Sequence, residues 1–132
     1  MREIKFRGKL VDPDNGKWVH GDLAHAGKKH SPCIRISGNP FMYGVKPETV
    51  GQYTGLKDYT EKEIYEGDII HGDDNGTKYG DGRGVVEWDE DEAAYVVRGP
   101  RVNANLSEYV YDDIYVIGNK YDTPEILGGT GK

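Results

Sequence analysis

The sequence predicts an all-β protein with helices of at most one turn, and three observations predict it. Glycine (19 of 132 residues) and tyrosine (10) are abundant, while alanine and leucine number only five each, a balance that suits short strands joined by turns. Apolar residues recur with period two, not 3.6. Clusters of Gly, Pro, Asn and Asp interrupt these runs at modest spacing. A chain of 132 residues is expected to form one domain.

Taken in order, Glu3-Ile4-Lys5-Phe6-Arg7 alternates and reads as a half-buried strand. Asp12-Pro13-Asp14-Asn15-Gly16 is a turn, and Lys17 to Leu23 is a second strand, so residues 3–23 form a hairpin. Residues 24–31 are expected to be a polar loop carrying Lys28, Lys29 and His30. Pro32 to Ser37 and Phe41 to Val45 read as strands, and Pro47-Glu48-Thr49 as one helical turn begun by its proline. Gly51 to Thr54 is short and β-like. The stretch from Leu56 to Glu66 is expected to be a loop with room for one turn of helix, and Gly67 to Gly72 a strand. Residues 73–82 are polar and Gly-rich, the best candidate for disorder. Gly84 to Trp88 and Ala93 to Arg98, across Asp89-Glu90-Asp91-Glu92, give the strongest hairpin signal. Tyr109-Val110-Tyr111 precedes Asp112-Asp113, and Ile114 to Gly118 closes as the last clear strand. Thr123 and Pro124 begin a last helical turn, and the glycine-rich end after Leu127 should fray.

A strand introduced by Glu66-Gly67-Asp68, then a loop and a hairpin, is how small SH3-like barrels often read. The expectation is therefore such a barrel, elaborated by the N-terminal hairpin region. Gly67 and Gly84 would allow sharp bends, Ile69, Val85 and Trp88 would supply core, and Asp68 would bond backbone amides at the strand's start.

Charge divides the chain. Residues 1–46 carry nine Lys or Arg against four Asp or Glu, and residues 47–132 carry eight against nineteen, for a net −6. The reading is a single domain, 1–132, with a basic β region at 1–46 and an acidic barrel region at 47–132. A split of this kind can mark a nucleic-acid surface, although no basic run reaches the usual five to eight residues. It also fits two halves of one fold that neutralise each other in part.

Catalytic chemistry finds no motif. Cys33 lies in a predicted strand, where a free cysteine acts as a small buried hydrophobe. His20, His25, His30 and His71 lack metal-ligand spacing, and a single cysteine excludes a zinc finger. Asp12 to Gly16 and Asp73 to Gly76 begin like calcium loops but lack the glutamate at position twelve. Asp89 to Glu92 sit in a solvated turn without the apolar shelter that raises a catalytic pKa. Gly80 to Gly84 precedes a strand, so no helix N-terminus faces a phosphate. No catalytic residue, metal ligand or cofactor is therefore named.

The stretch Gly51-Gln52-Tyr53-Thr54-Gly55-Leu56-Lys57-Asp58, continued by Lys62-Glu63-Ile64-Tyr65-Glu66-Gly67-Asp68-Ile69, resembles the YopX family of phage and prophage proteins. So do the opening Arg2 to Lys9, the element Trp18-Val19-His20-Gly21-Asp22-Leu23, and the closing Val116-Ile117-Gly118-Asn119-Lys120-Tyr121 with Pro124-Glu125-Ile126-Leu127. The resemblance covers essentially the whole chain, loops 24–31 and 72–82 excepted. It implies a mainly β phage-type protein and supplies no catalytic residues.

The functional expectation is a non-enzymatic interaction module with a protein partner, in the cytoplasm of a bacterial host. No apolar run approaches a membrane helix, and the N-terminus lacks the apolar stretch of a signal peptide. The first alternative is nucleic-acid binding by the basic half. Lys28, Lys29, His30, Arg7 and Lys9 are the candidate contacts, with Lys5 and Lys17 beside them and Tyr53 or Tyr59 stacking on bases. The second is an enzyme whose site assembles from scattered residues. The acidic remainder suits a basic partner or mimicry of nucleic acid, and exposed strand edges suit self-association.

Overall fold

The computed structural model describes residues 3–11, 17–72, 83–99, 102–109 and 114–128. The expected turn at 12–16, the loop at 73–82, Val110, Tyr111 and the glycine-rich end from residue 129 lie outside them. The chain divides into two compact units, Met1–Tyr53 and Thr54–Lys132. The charge split at residue 46 falls seven residues before that division.

The first unit holds β1 (Phe6–Lys9), β2 (Trp18–Ala26), β3 (Ser31–Arg35), β4 (Met42–Gly44), a 3-10 turn (Pro47–Thr49) and the start of β5 (Gly51–Lys57). All pairings are antiparallel. β1 meets β2 from Phe6↔Gly21 to Lys9↔Trp18, and β2 meets β3 from Asp22↔Arg35 to Ala26↔Ser31. β2 thus hands over from one partner to the next at Gly21, and its second half runs on beyond the reach of β1. A Cβ at Gly21 would lie 2.2 Å from the Arg35 carbonyl oxygen, so only glycine allows the handover. The chain beyond β4 returns to β1: Lys46 N–H donates to Lys9 O at 2.8 Å, and Thr49 Oγ1 accepts from Lys9 N–H at 2.9 Å. Ile34, Val45 and Tyr53 form the buried apolar centre.

The second unit completes β5 and adds β6 (Glu63–Tyr65), β7 (Asp68–Gly72), β8 (Arg83–Asp89), β9 (Ala94–Arg98), β10 (Asn103–Asn105), α1 (Leu106–Tyr109), β11 (Ile114–Asn119) and α2 (Pro124–Gly128). The strand orders are β4-β3-β2-β1-β5-β6 and β10-β9-β8-β7-β11. Ile64, Ile70, Val86, Val97, Val102, Leu106 and Ile114 make a buried cluster, with Leu56, Tyr95, Ala104 and Val116 packed on it. Each such side chain contributes roughly 1.5–3 kcal/mol by leaving water.

Two buried carboxylates organise the polar joints of this unit. Asp58 Oδ1 accepts from Thr60 N–H (2.8 Å), Thr60 Oγ1 (2.7 Å) and Lys62 N–H (2.9 Å), and Oδ2 accepts from Val116 N–H (2.9 Å). Burial pushes its pKa up. The four hydrogen bonds, led by that from Val116, outweigh burial and hold Asp58 below its ordinary value. Asp68 accepts from Tyr65 N–H at 2.8 Å, the backbone role expected of it. Gly67, at φ +91, lies so close to the Tyr121 ring that a Cβ would sit 2.8 Å from it.

The all-β class, the one-turn helices, the 3-10 turn at Pro47 and the β8–β9 hairpin stand as expected. The SH3-like barrel does not: the chain forms two antiparallel sheets that are not closed into a barrel. Where β1 and β4 meet again there is one isolated bridge, Leu10↔Val45, too short to build a wall. The expected loop at 24–31 shrinks to a turn at 27–30, because β2 continues to Ala26. The expected loop from Leu56 to Glu66 contains the end of β5 and all of β6. β10 and α1 carry no strand or helix signal strong enough to be anticipated. Ile69 and Val85 are core, but Trp88 is 41% exposed and rests edge-on against Tyr95.

Candidate functional site

The five predicted contact residues fall into two groups within the first unit. Lys28, Lys29 and His30 are exposed in the turn between β2 and β3. That turn is closed by His30 N–H donating to Gly27 O at 3.1 Å, with Gly27 at φ +80 and His30 at φ +52. Its stem adds exposed His25, opposite Pro32, and exposed Arg35, opposite Asp22. The other stem positions near the tip, Ala24, Ala26 and Ser31, are small, so the ribbon is slim.

Arg7 and Lys9 belong elsewhere. Register sets Arg7 opposite His20 and Lys9 opposite Trp18. The Arg7 guanidinium lies 4.5 Å from the Trp18 ring centre and the Lys9 ammonium 5.9 Å. Lys5 lies 5.6 Å from the Tyr53 ring and 3.5 Å from the Glu3 carboxylate. These cations face aromatic rings, an attraction of about 0.5–2 kcal/mol each. Arg7 is only 7% exposed, so it organises the sheet and offers no surface charge for a ligand. From His20 to Ala26 is about 20 Å along the strand, at about 3.3 Å per residue, which keeps the two groups apart.

Of the two tyrosines named for base stacking, Tyr53 is 5% exposed, while Tyr59 is 64% exposed and stands in the acidic second unit with its ring edge-on to Tyr115. Cys33, expected to be buried, is half-buried, its Sγ 3.6 Å from Ser31 O. What sequence reading missed is the stem. Period two carries through His25, and the run from Pro32 to Arg35 pairs with it, a signal that was present but hidden by the polar composition of 24–31.

The second unit carries a different arrangement. Arg98 is gripped by Glu87 (3.0 Å) and by Asp89, both of which raise its pKa. The Glu92 amide and then Arg98 hold Asp89 below its ordinary value, against the effect of burial. Beside them opens a surface cavity of about 360 Å³, lined also by Asn103, Asn105 and Glu108. Its one guanidinium is already committed, so the lining offers mainly acceptors.

Among the described residues no group of three or more His, Cys, Asp or Glu is placed to hold a metal ion. Among them, too, no helix is long and apolar enough to cross a membrane. No curated protein matches the chain at a significant level. The family model described as YopX protein matches residues 5–128, nearly the whole length, and the chain belongs to the YopX family.

Proposed function

We propose that this chain is a non-enzymatic accessory module of a phage or prophage, working by binding in the bacterial cytoplasm, and that nucleic acid is the ligand its geometry fits best. One observation carries the reading: the β2–β3 hairpin presents Lys28, Lys29 and His30 together, exposed at its tip, with Arg35 on its stem. The unit that bears it has nine Lys or Arg against five Asp or Glu, a balance of +4. Phosphate contacts of this kind release counterions, so affinity falls steeply with salt. The second unit, with eight against eighteen, opposes phosphate and keeps binding weak.

The test is binding of mixed-sequence oligonucleotides by fluorescence anisotropy across a salt series. Binding that weakens with salt, with a slope reduced by about two in the Lys28→Ala/Lys29→Ala variant, supports the reading. No binding at the lowest salt ends it. A second reading, a protein partner, is favoured by Phe41 and Met42, which are 67% and 50% exposed side by side. Self-association through that patch would appear as a concentration-dependent mass in sedimentation, abolished by Phe41→Ser/Met42→Ser.

A further inference from the structure

We infer that the nucleic acid taken by the β2–β3 hairpin is double-helical B-form DNA, entered by the hairpin tip at the major groove and held through phosphates. The inference rests on the nucleic-acid reading and narrows it to one duplex form. Its first support is the depth of the free ribbon. The β1 pairing ends at Gly21, and the last contact from the chain beyond β4 is Val45 N–H donating to Pro32 O at 3.2 Å. Beyond that level stand only the pair Ala26↔Ser31 and the four-residue turn. One strand residue on each side plus the four-residue turn reaches on the order of 8 Å. The major groove of B-DNA is about 8.5 Å deep and about 12 Å wide, enough for a two-stranded ribbon.

Width is the second support. Ala24, Ala26, Gly27 and Ser31 add little bulk to the ribbon's faces, so it is slim where it would enter. Charge is the third. Lys28 and Lys29 stand at the tip, from which their flexible four-carbon stems reach base edges on the groove floor or back to the phosphates of its rim, and Arg35 lies nearer the base of the stem, on the side of that rim. Asp22, opposite Arg35, offsets part of that charge at the base but not at the tip.

Chemistry disfavours the other forms. Single-strand binding draws on exposed aromatic rings as stacking platforms. Residues 22–35 contain no Phe, Tyr or Trp, Tyr53 is buried, Trp18 is covered on one side by Arg7, and the exposed ring of this unit, Phe41, lies outside the basic ribbon, beyond β3. Duplex RNA has a major groove too narrow for side chains to enter.

The experiment uses the full chain with one mixed 20-base sequence in three forms: duplex DNA, duplex RNA and single-stranded DNA. The expected order places duplex DNA at least tenfold tighter than either alternative at low salt. Methyl green, a major-groove ligand, should displace the protein, whereas netropsin in the minor groove should not. Lys28→Gln/Lys29→Gln should lower duplex affinity at least tenfold with an unchanged circular dichroism spectrum. Duplex RNA or single strands bound as tightly as duplex DNA, or displacement by netropsin alone, would overturn the inference while leaving nucleic-acid binding intact. Absence of binding to all three forms would overturn both.

Discussion

Two hairpins, one in each unit, turn over four residues that end on the same left-handed φ, and they carry opposite charge. The turn at 27–30 is closed by the pair Ala26↔Ser31 and ends on His30 at φ +52. The turn at 90–93 is closed by Asp89↔Ala94 and ends on Ala93, also at φ +52. One tip displays Gly-Lys-Lys-His, the other Glu-Asp-Glu-Ala. They differ also in how their charge is used. Asp89 is bound to the Glu92 amide and to Arg98, so part of the acidic turn's charge holds its own hairpin together. The basic turn is closed by a backbone bond, with its lysines exposed. Turns of equal length that end on the same φ thus serve as a braced joint in one unit and as an exposed tip in the other.

Each unit contains one tryptophan, Trp18 in the first and Trp88 in the second, so single Trp→Phe variants report the two separately. The largest expected effect is in the second unit. Asp58→Ala leaves the N–H groups of Thr60, Lys62 and half-buried Val116 without their acceptor, and should cost about 3 kcal/mol, read as a lower urea midpoint from Trp88. Because Asp58 is held below its ordinary 3.8, its contribution is present above that value and is lost as pH falls through the lower folded value. Asp58→Asn should therefore flatten the acid limb of the Trp88 stability profile and leave the Trp18 profile unchanged. Equal effects on both probes would show that the two units unfold as one.

Next comes Gly21→Ala, which drives a methyl group against the Arg35 carbonyl. It should cost the first unit about 2 kcal/mol, read from Trp18. Smallest is the paired substitution of His30→Gly and Ala93→Gly. Both relieve a left-handed backbone and should stabilise their units by about 1 kcal/mol each in the same urea experiment. Unequal gains would show that the difference at the first turn residue, Gly27 at φ +80 against Glu90, alters the strain at the last.

Much of the fold was legible because its signals are local. Pro47 begins its turn, Asp68 meets a nearby amide, and the run from Arg83 to Arg98 folds upon itself. What escaped depends on distant partners. Asn103-Ala104-Asn105 has no β-branched residue and becomes a strand only because Val96 to Arg98 offers an open edge. β6 is three residues long, and Thr54 Oγ1 donating to Ile64 O at 2.8 Å helps hold it. At the candidate site, residue type indicated basic contacts but not their grouping. Arg7 was named for its charge, yet register lays it over Trp18 and buries it. The tip residues keep the exposure that their composition suggests.

The bond from Val116 N–H to Asp58 Oδ2 joins residues 58 positions apart, and β11 pairs along β7 from Ile114↔Gly72 to Asn119↔Asp68. During synthesis, at roughly 5–20 residues per second, the first 53 residues leave the ribosome several seconds before β11 does. Until then β7 is an unpaired sheet edge and Asp58 lacks its most distant donor. The basic hairpin can thus be formed while the acidic unit is still waiting for its last strand.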